Sequence, residues 1–153
     1  FSKCLDNQGG YSMTRQEFLE YVDHFNNKRY DAVTSYFMPD CTVEYFSNMS
    51  NPRGSEPKTL HGPAEFIKSY SNLHDHVKEL MELGFFIQQG NQLVVELYTE
   101  FHCFNDFVMN SGPIKKGDVV IMTNWVVYDF EGDKFKRIRI AHFRMHDKKP
   151  RLT

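Results

Sequence analysis

Apolar residues recur along this chain with two periods, and the change from one to the other falls near residue 77. Before it the spacing is helical. Phe18, Tyr21, Val22 and Phe25 form one stripe. Thr14-Arg15-Gln16-Glu17 ahead of them matches a capping box, with Thr14 as N-cap and Glu17 at the third helical position. Asn26-Asn27-Lys28 ends this helix. A second, short helix is predicted from Tyr30 to Phe37, stopped by Pro39-Asp40. Gly62-Pro63 opens a third, since Pro suits the first helical position, and Phe66, Ile67, Tyr70 and Leu73 supply its buried stripe. Between the second and third helices, Cys41 to Phe46 alternates as a strand does, and Ser47 to Pro57 has the Asn, Ser, Pro and Gly content of a loop.

Beyond residue 77 the alternation has period two. Val77 to Ile87, Leu93 to Phe104, Val119 to Tyr128 and Phe135 to Met145 are predicted strands. Gln88-Gln89-Gly90-Asn91 and Glu131-Gly132-Asp133 are predicted hairpin turns, and Asn105 to Gly117 a longer loop. Helices first, with one strand among them, then an antiparallel meander: this order predicts an α+β fold with helices on one face of a curved sheet. Residues 13–147 form the expected domain, flanked by tails at 1–12 and 148–153.

One residue interrupts the pattern. Asn124 sits in the middle of the apolar run from Val119 to Tyr128, although Asn is depleted in strands. A buried amide must find partners or cost a few kcal/mol. It is either a polar tie between strands or a donor aimed into a cavity. Alternation puts it on one face with Met122, Val126 and Tyr128. On the strand from Leu93 the inward face carries Val95, Leu97, Thr99, Phe101 and Cys103. Glu96, Tyr98, Glu100 and His102 take the outer, convex face, which is expected to be wet or to pair two copies of the chain. In the last strand Ile138, Ile140, His142 and Arg144 share one face. His142 is therefore the best-placed histidine for acid–base work, its ordinary pKa lying near neutrality, with a carbonyl-bonded core-edge histidine as the other reading.

Composition narrows the function classes. The chain has 153 residues, a net charge of -2 and 14 Phe and 8 Tyr against one Trp. No basic patch marks a nucleic-acid surface, and no run of apolar residues is long enough to span a bilayer. The aromatics could line an apolar pocket or simply fill a core. Cys4, Cys41 and Cys103 form no CxxC pair, so free thiols in a reducing cytosol are expected. With no visible signal peptide, the Asn48-Met49-Ser50 sequon carries no meaning. His74-Asp75-His76, at the end of the third helix, lacks a third ligand at metal spacing. It is read as a histidine-bearing helix end at a cavity rim, where a cation suits the helix C-terminus.

The segments Tyr36 to Tyr45, Leu60-His61-Gly62-Pro63 and Tyr128 to Phe135 resemble the nuclear transport factor 2-like superfamily, and within it the SnoaL-like proteins. The resemblance spans nearly everything from Thr14 to Met145. It implies a cone: three helices packed on a curved, mostly antiparallel sheet. It also implies a fold shared by isomerases, dehydratases, cyclases, epoxide hydrolases and non-catalytic modules. Compared with ketosteroid isomerases, the oxyanion-hole tyrosine falls on Tyr21, the general-base aspartate on Tyr45 and the protonated aspartate on Asn124. Compared with scytalone dehydratase, one active-site tyrosine falls on Tyr45 and the active-site asparagine on Asn124. Its second tyrosine falls on Phe25 and its aspartate on Asn26, while its histidines meet no histidine near Leu80 or at Leu97. The Arg-x-Asp of limonene-epoxide hydrolases does not occur.

The resulting expectation is a cofactor-free, metal-free acid–base enzyme acting on a hydrophobic, oxygenated small molecule, in the cytoplasm, as a homodimer. Tyr45 and Asn124, with Tyr21, would hold an oxygen. His142, with His74 or His76, would move the proton. Phe25, Leu97, Phe101, Met122, Ile140 and Arg144 would contact the substrate. A non-catalytic binding module is the first alternative. An epoxide hydrolase stands third, because the inward faces as read hold no carboxylate to activate water.

Overall fold

The computed structural model describes residues 11–47 and 53–152. The predicted element order is present. Helix α1 is Arg15–Asn26, α2 Tyr30–Thr34 and α3 Gly62–His74. The strands are β1 Phe37–Phe46, β2 Lys58–His61, β3 Val77–Gln89, β4 Gln92–Cys103, β5 Phe107–Met109, β6 Gly112–Ile114, β7 Val119–Glu131 and β8 Lys134–His146. Six of them form one sheet in the order β2-β1-β8-β7-β4-β3, in which only β1 and β8 run parallel. Strands β3, β4, β7 and β8 make the expected antiparallel meander.

Capping fixes where the helices start. The Thr14 hydroxyl accepts from the Glu17 amide at 3.1 Å, which is half of a capping box. The Glu17 carboxylate does not return the bond; it accepts from the Tyr11 hydroxyl at 2.7 Å instead. Tyr11 in turn packs on Phe130, and Met13 is buried in one core cluster with Phe18. At α3, Gly62 has φ +78° and a Cβ there would lie 3.1 Å from the Pro39 carbonyl. Glycine meets both constraints at once. Asn26, at the end of α1, binds the amide and carbonyl of Met81 with its side-chain oxygen and nitrogen (2.8 and 2.9 Å). It thereby acts as a strand partner for the open edge of β3.

Four expectations differ. The second helix ends at Thr34, and after a turn at Ser35 and Tyr36 the strand begins at Phe37, which pairs with β8. The loop before α3 closes with β2, whose four residues are too few to show a period. The 105–117 loop contains the β5–β6 hairpin. Most consequential is an extra residue in β8: Asn124 pairs with His142 but Thr123 with Arg144, so Phe143 is bulged. The bulge turns Arg144 away from the face of His142, and its side chain is exposed. A second bulge, at residues 84–85 of β3, likewise restores the facing of Phe86.

The core lies between the concave face and the helices: Phe18, Tyr21, Val22 and Phe25 of α1 meet Val43, Val95, Val126, Tyr128 and Phe135. Residues 1–10, where most of the expected N-terminal tail and Cys4 fall, and the Asn48-Met49-Ser50 sequon lie outside the described residues. Cys41 and Cys103 are free and buried. No helix among the described residues is long and apolar enough to cross a membrane.

Candidate active site

The concave face and α3 enclose a cavity of 180 Å³. Its apolar walls are Phe25, Val43, Phe66, Met81, Leu97, Phe101, Met122, Val126, Ile138 and Ile140. Residues 107–111 of the β5–β6 hairpin, with Lys58 and Asn72, line the mouth. Lys58 Nζ donates to Asn110 Oδ1 at 3.2 Å, tying the hairpin to β2.

Three polar groups enter this apolar space. On β7 and β8, His142 Nδ1 donates to Asn124 Oδ1 at 2.7 Å. Among the described residues the partner of Asn124 Nδ2 is Thr99 Oγ1, at 3.5 Å. That contact is long for a hydrogen bond, so the amide N–H₂ remains a donor for a guest. Burial pushes the His142 pKa down. The imidazole is therefore neutral at pH 7, and with Nδ1 committed to Asn124 its Nε2 is an acceptor. The second group is a hydroxyl pair from β1 and α3: Tyr45 and Tyr70 lie 2.7 Å apart. Burial pushes both pKa values up, so both stay protonated, and because one hydroxyl donates to the other the pair offers a guest at most one O–H.

The third group is a carboxylate. Glu79 on β3 is 8% exposed and lines the cavity. Its Oε2 lies 2.9 Å from His74 Nε2, and His74 Nδ1 lies 2.7 Å from the Tyr30 hydroxyl. This corrects the reading that no inward Asp or Glu exists. The signal was present in the sequence: Val77, Met81 and Leu83 are its alternate neighbours and all face inward.

The other candidates divide. Tyr21 lines the cavity but its hydroxyl is engaged with Tyr128. Phe25, Leu97, Phe101, Met122 and Ile140 line it as expected. His74 is not at a rim; it is buried behind the wall, at 4% exposure, and reaches the cavity only through Glu79. His76 stacks on Phe107 with ring centroids 4.9 Å apart and does not line the cavity. Arg144 is excluded by the β8 bulge. Among the described residues no cluster of three or more metal-ligating side chains occurs.

The outer face of β4 also departs from expectation. Glu100 is fully buried, not wet. It accepts from Tyr98 Oη at 2.6 Å, His102 Nε2 at 2.9 Å, the Arg151 amide at 2.7 Å and the Leu152 amide at 3.0 Å. Burial alone would raise its pKa, but these donors outweigh it and hold the group at about 2. Arg151 adds a paired bond to Glu82 (2.7 and 2.6 Å). The C-terminal segment is thus strapped across the convex face.

A cone of helices on a curved sheet, with one apolar cavity holding a few polar groups, defines the NTF2-like class of fold. The SnoaL-like domain family matches residues 18–138, and the chain belongs to that family. Among solved structures it is similar to an NTF2-like protein of unknown function from Burkholderia pseudomallei K96243. The two share 19% identity and a TM-score of 0.66 over 85% of this chain and 92% of that one. A candidate polyketide cyclase from Xanthomonas campestris pv. campestris is 15% identical with a TM-score of 0.61, over 82% and 86% of the two chains. An LEH-like epoxide hydrolase from M. tuberculosis is 10% identical with a TM-score of 0.58, over 82% and 78%. At these identities the likeness is one of fold. No curated protein matches the chain in sequence.

Proposed function

We propose that the chain is a cofactor-free acid–base enzyme, an isomerase, cyclase or dehydratase, whose substrate is a compact, largely apolar molecule bearing a carbonyl oxygen. The observation that carries this reading is the convergence of donors and proton acceptors on one apolar cavity: Tyr45 and Tyr70, Asn124, His142 and Glu79. These three reaction types share one step, removal of a proton beside a carbonyl. That step needs donors for the developing oxyanion and a base within reach. Tyr45 with Tyr70 and the Asn124 amide are such donors. His142 and Glu79 are the proton-handling groups.

Size narrows the substrate. A cavity of ~150 Å³ holds a benzene ring, and pockets for drug-sized ligands run to roughly 300–1,000 Å³. At 180 Å³ this one suits a single substituted ring. The test uses one-ring ketones. Conversion of cyclohex-3-enone to cyclohex-2-enone, read by ultraviolet absorbance, and deuterium uptake from solvent beside the carbonyl of cyclohexanones, read by NMR, are expected to exceed the buffer rate. If such ketones raise the melting temperature yet neither reaction is accelerated, the chain is a binding module.

Glu79 also supports a second reading. A buried carboxylate facing a cavity can activate water for epoxide opening, and a fold neighbour is named as an epoxide hydrolase. Turnover of cyclohexene oxide to its diol, with the ketones inert, would favour it.

A further inference from the structure

We propose that Glu79 is the base that removes the substrate's proton, and that His74 and Tyr30 position it and connect it to the protein edge. This deepens the acid–base reading above and rests on it.

A carboxylate held at 8% exposure in an apolar wall is expensive unless it is paired. Among the described residues no Lys or Arg bonds to Glu79, and its partner there is one imidazole nitrogen, on Oε2. Oε1 has no protein partner there, and the residue lines the cavity. A single orienting bond with the second oxygen left for a guest is the arrangement of a held base.

The rest of the chain of contacts fits. With the Tyr30 hydroxyl donating to His74 Nδ1, His74 carries a proton on Nε2 and donates it to Oε2. Tyr30 is half-buried, so the network runs from the cavity to the outside of α2. His142 has no comparable support. Its Nδ1 is spent orienting Asn124, and burial weakens it as a base. The titratable groups around the Glu79 carboxylate are His74 and Tyr70 on α3, Tyr30 on α2 and Tyr45 on β1. Lys28 reaches only the His74 carbonyl, at 3.3 Å.

The step balances without a co-reactant. The C–H bond beside the carbonyl breaks and its proton goes to Glu79 Oε1. The electron pair becomes the enolate double bond, and the carbonyl oxygen takes the negative charge facing the Tyr45–Tyr70 hydroxyl pair and Asn124 Nδ2. Glu79 then returns the proton, to a more distant carbon in an isomerisation or to a departing hydroxyl, released as water, in a dehydration.

The experiment follows deuterium uptake by cyclohexanone and isomerisation of cyclohex-3-enone, with phenol binding as a separate readout. Glu79→Gln should lower both rates by roughly 10²–10⁴-fold. Phenol affinity should stay within about threefold of the parent, as expected when only a transition-state contact is lost. Glu79→Asp should recover part of the rate. His74→Gln and Tyr30→Phe should keep the fold and shift the acid limb of the pH–rate profile, which a purely structural contact would not do. The assignment is overturned if Glu79→Gln keeps the parent rate while His142→Ala abolishes it. Should Glu79→Gln fail to fold, an unmoved acid limb in Tyr30→Phe overturns it equally. A parent chain inert on every probe overturns the acid–base reading itself, and this assignment with it.

Discussion

Asn124 was legible because it broke a rule. A lone amide in an apolar strand must be satisfied or functional, and period two gave its facing. The structure adds what no period could carry, namely that His142 sits opposite and donates to its oxygen. That contact joins two strands across a bulge, so it depends on register. Replacing Asn124 by Leu should remove an oxyanion donor and raise the barrier by about 3–4 kcal/mol. The fold should survive, because the freed His142 can move its proton to Nε2 and Leu suits a buried strand. Parent-like melting with a lost rate is the expected pair of results; unfolding would make Asn124 a structural tie. Glu79 shows the reverse case, a residue whose facing was readable but whose partners were not. His74 is close in sequence, yet Tyr30 is contributed by a different helix.

At the scale of elements, the long strands and both outer helices could be read because each repeats its period several times. Of the short pieces, α2 was expected but drawn three residues too long, and the others left no readable period. Strand β2 has four residues and β5 and β6 three each, and the bulge at Phe143 leaves no compositional trace. The strap on β4 was invisible for another reason: its bonds use the backbone amides of Arg151 and Leu152, which any residue but Pro could supply. Its consequence can be measured. Glu100 is held at about 2, below the ordinary 4.5. A carboxylate with a depressed folded-state pKa contributes stability that is fully present above its unfolded value and is lost as pH falls through the folded one. Melting temperature should therefore decline between pH 4.5 and 2, and Glu100→Gln should flatten that decline. An unchanged acid slope in the variant would mean that the strap does not hold the charge.

The whole molecule presents an unusual convex face. Trp125 and Phe143 stack with centroids 3.8 Å apart, Phe85 lies 6.2 Å from Trp125, and all three are exposed. Exposed aromatics clustered on one face suit an interface. Homodimerisation through this face is our proposal, with the aromatic cluster at its centre and not Glu100, which the strap already covers. Light scattering should give twice the 18.1 kDa chain mass at micromolar concentration, and Trp125→Glu should return it to one chain. A parent chain that stays single would leave the cluster without this role.

One feature of the sheet governs how the molecule comes into being. Strand β8 follows every other strand of the sheet in chain order, yet it lies between β1 and β7. Until it emerges from the ribosome, β1 and β2 have no sheet to join, and the walls bearing Tyr45 and Asn124 are separate pieces. Contacts this distant along the chain slow folding, because loop closure precedes any gain from pairing. The cavity therefore has no partial form during synthesis. Its walls come together in one event, when β8 slots into the middle of the sheet.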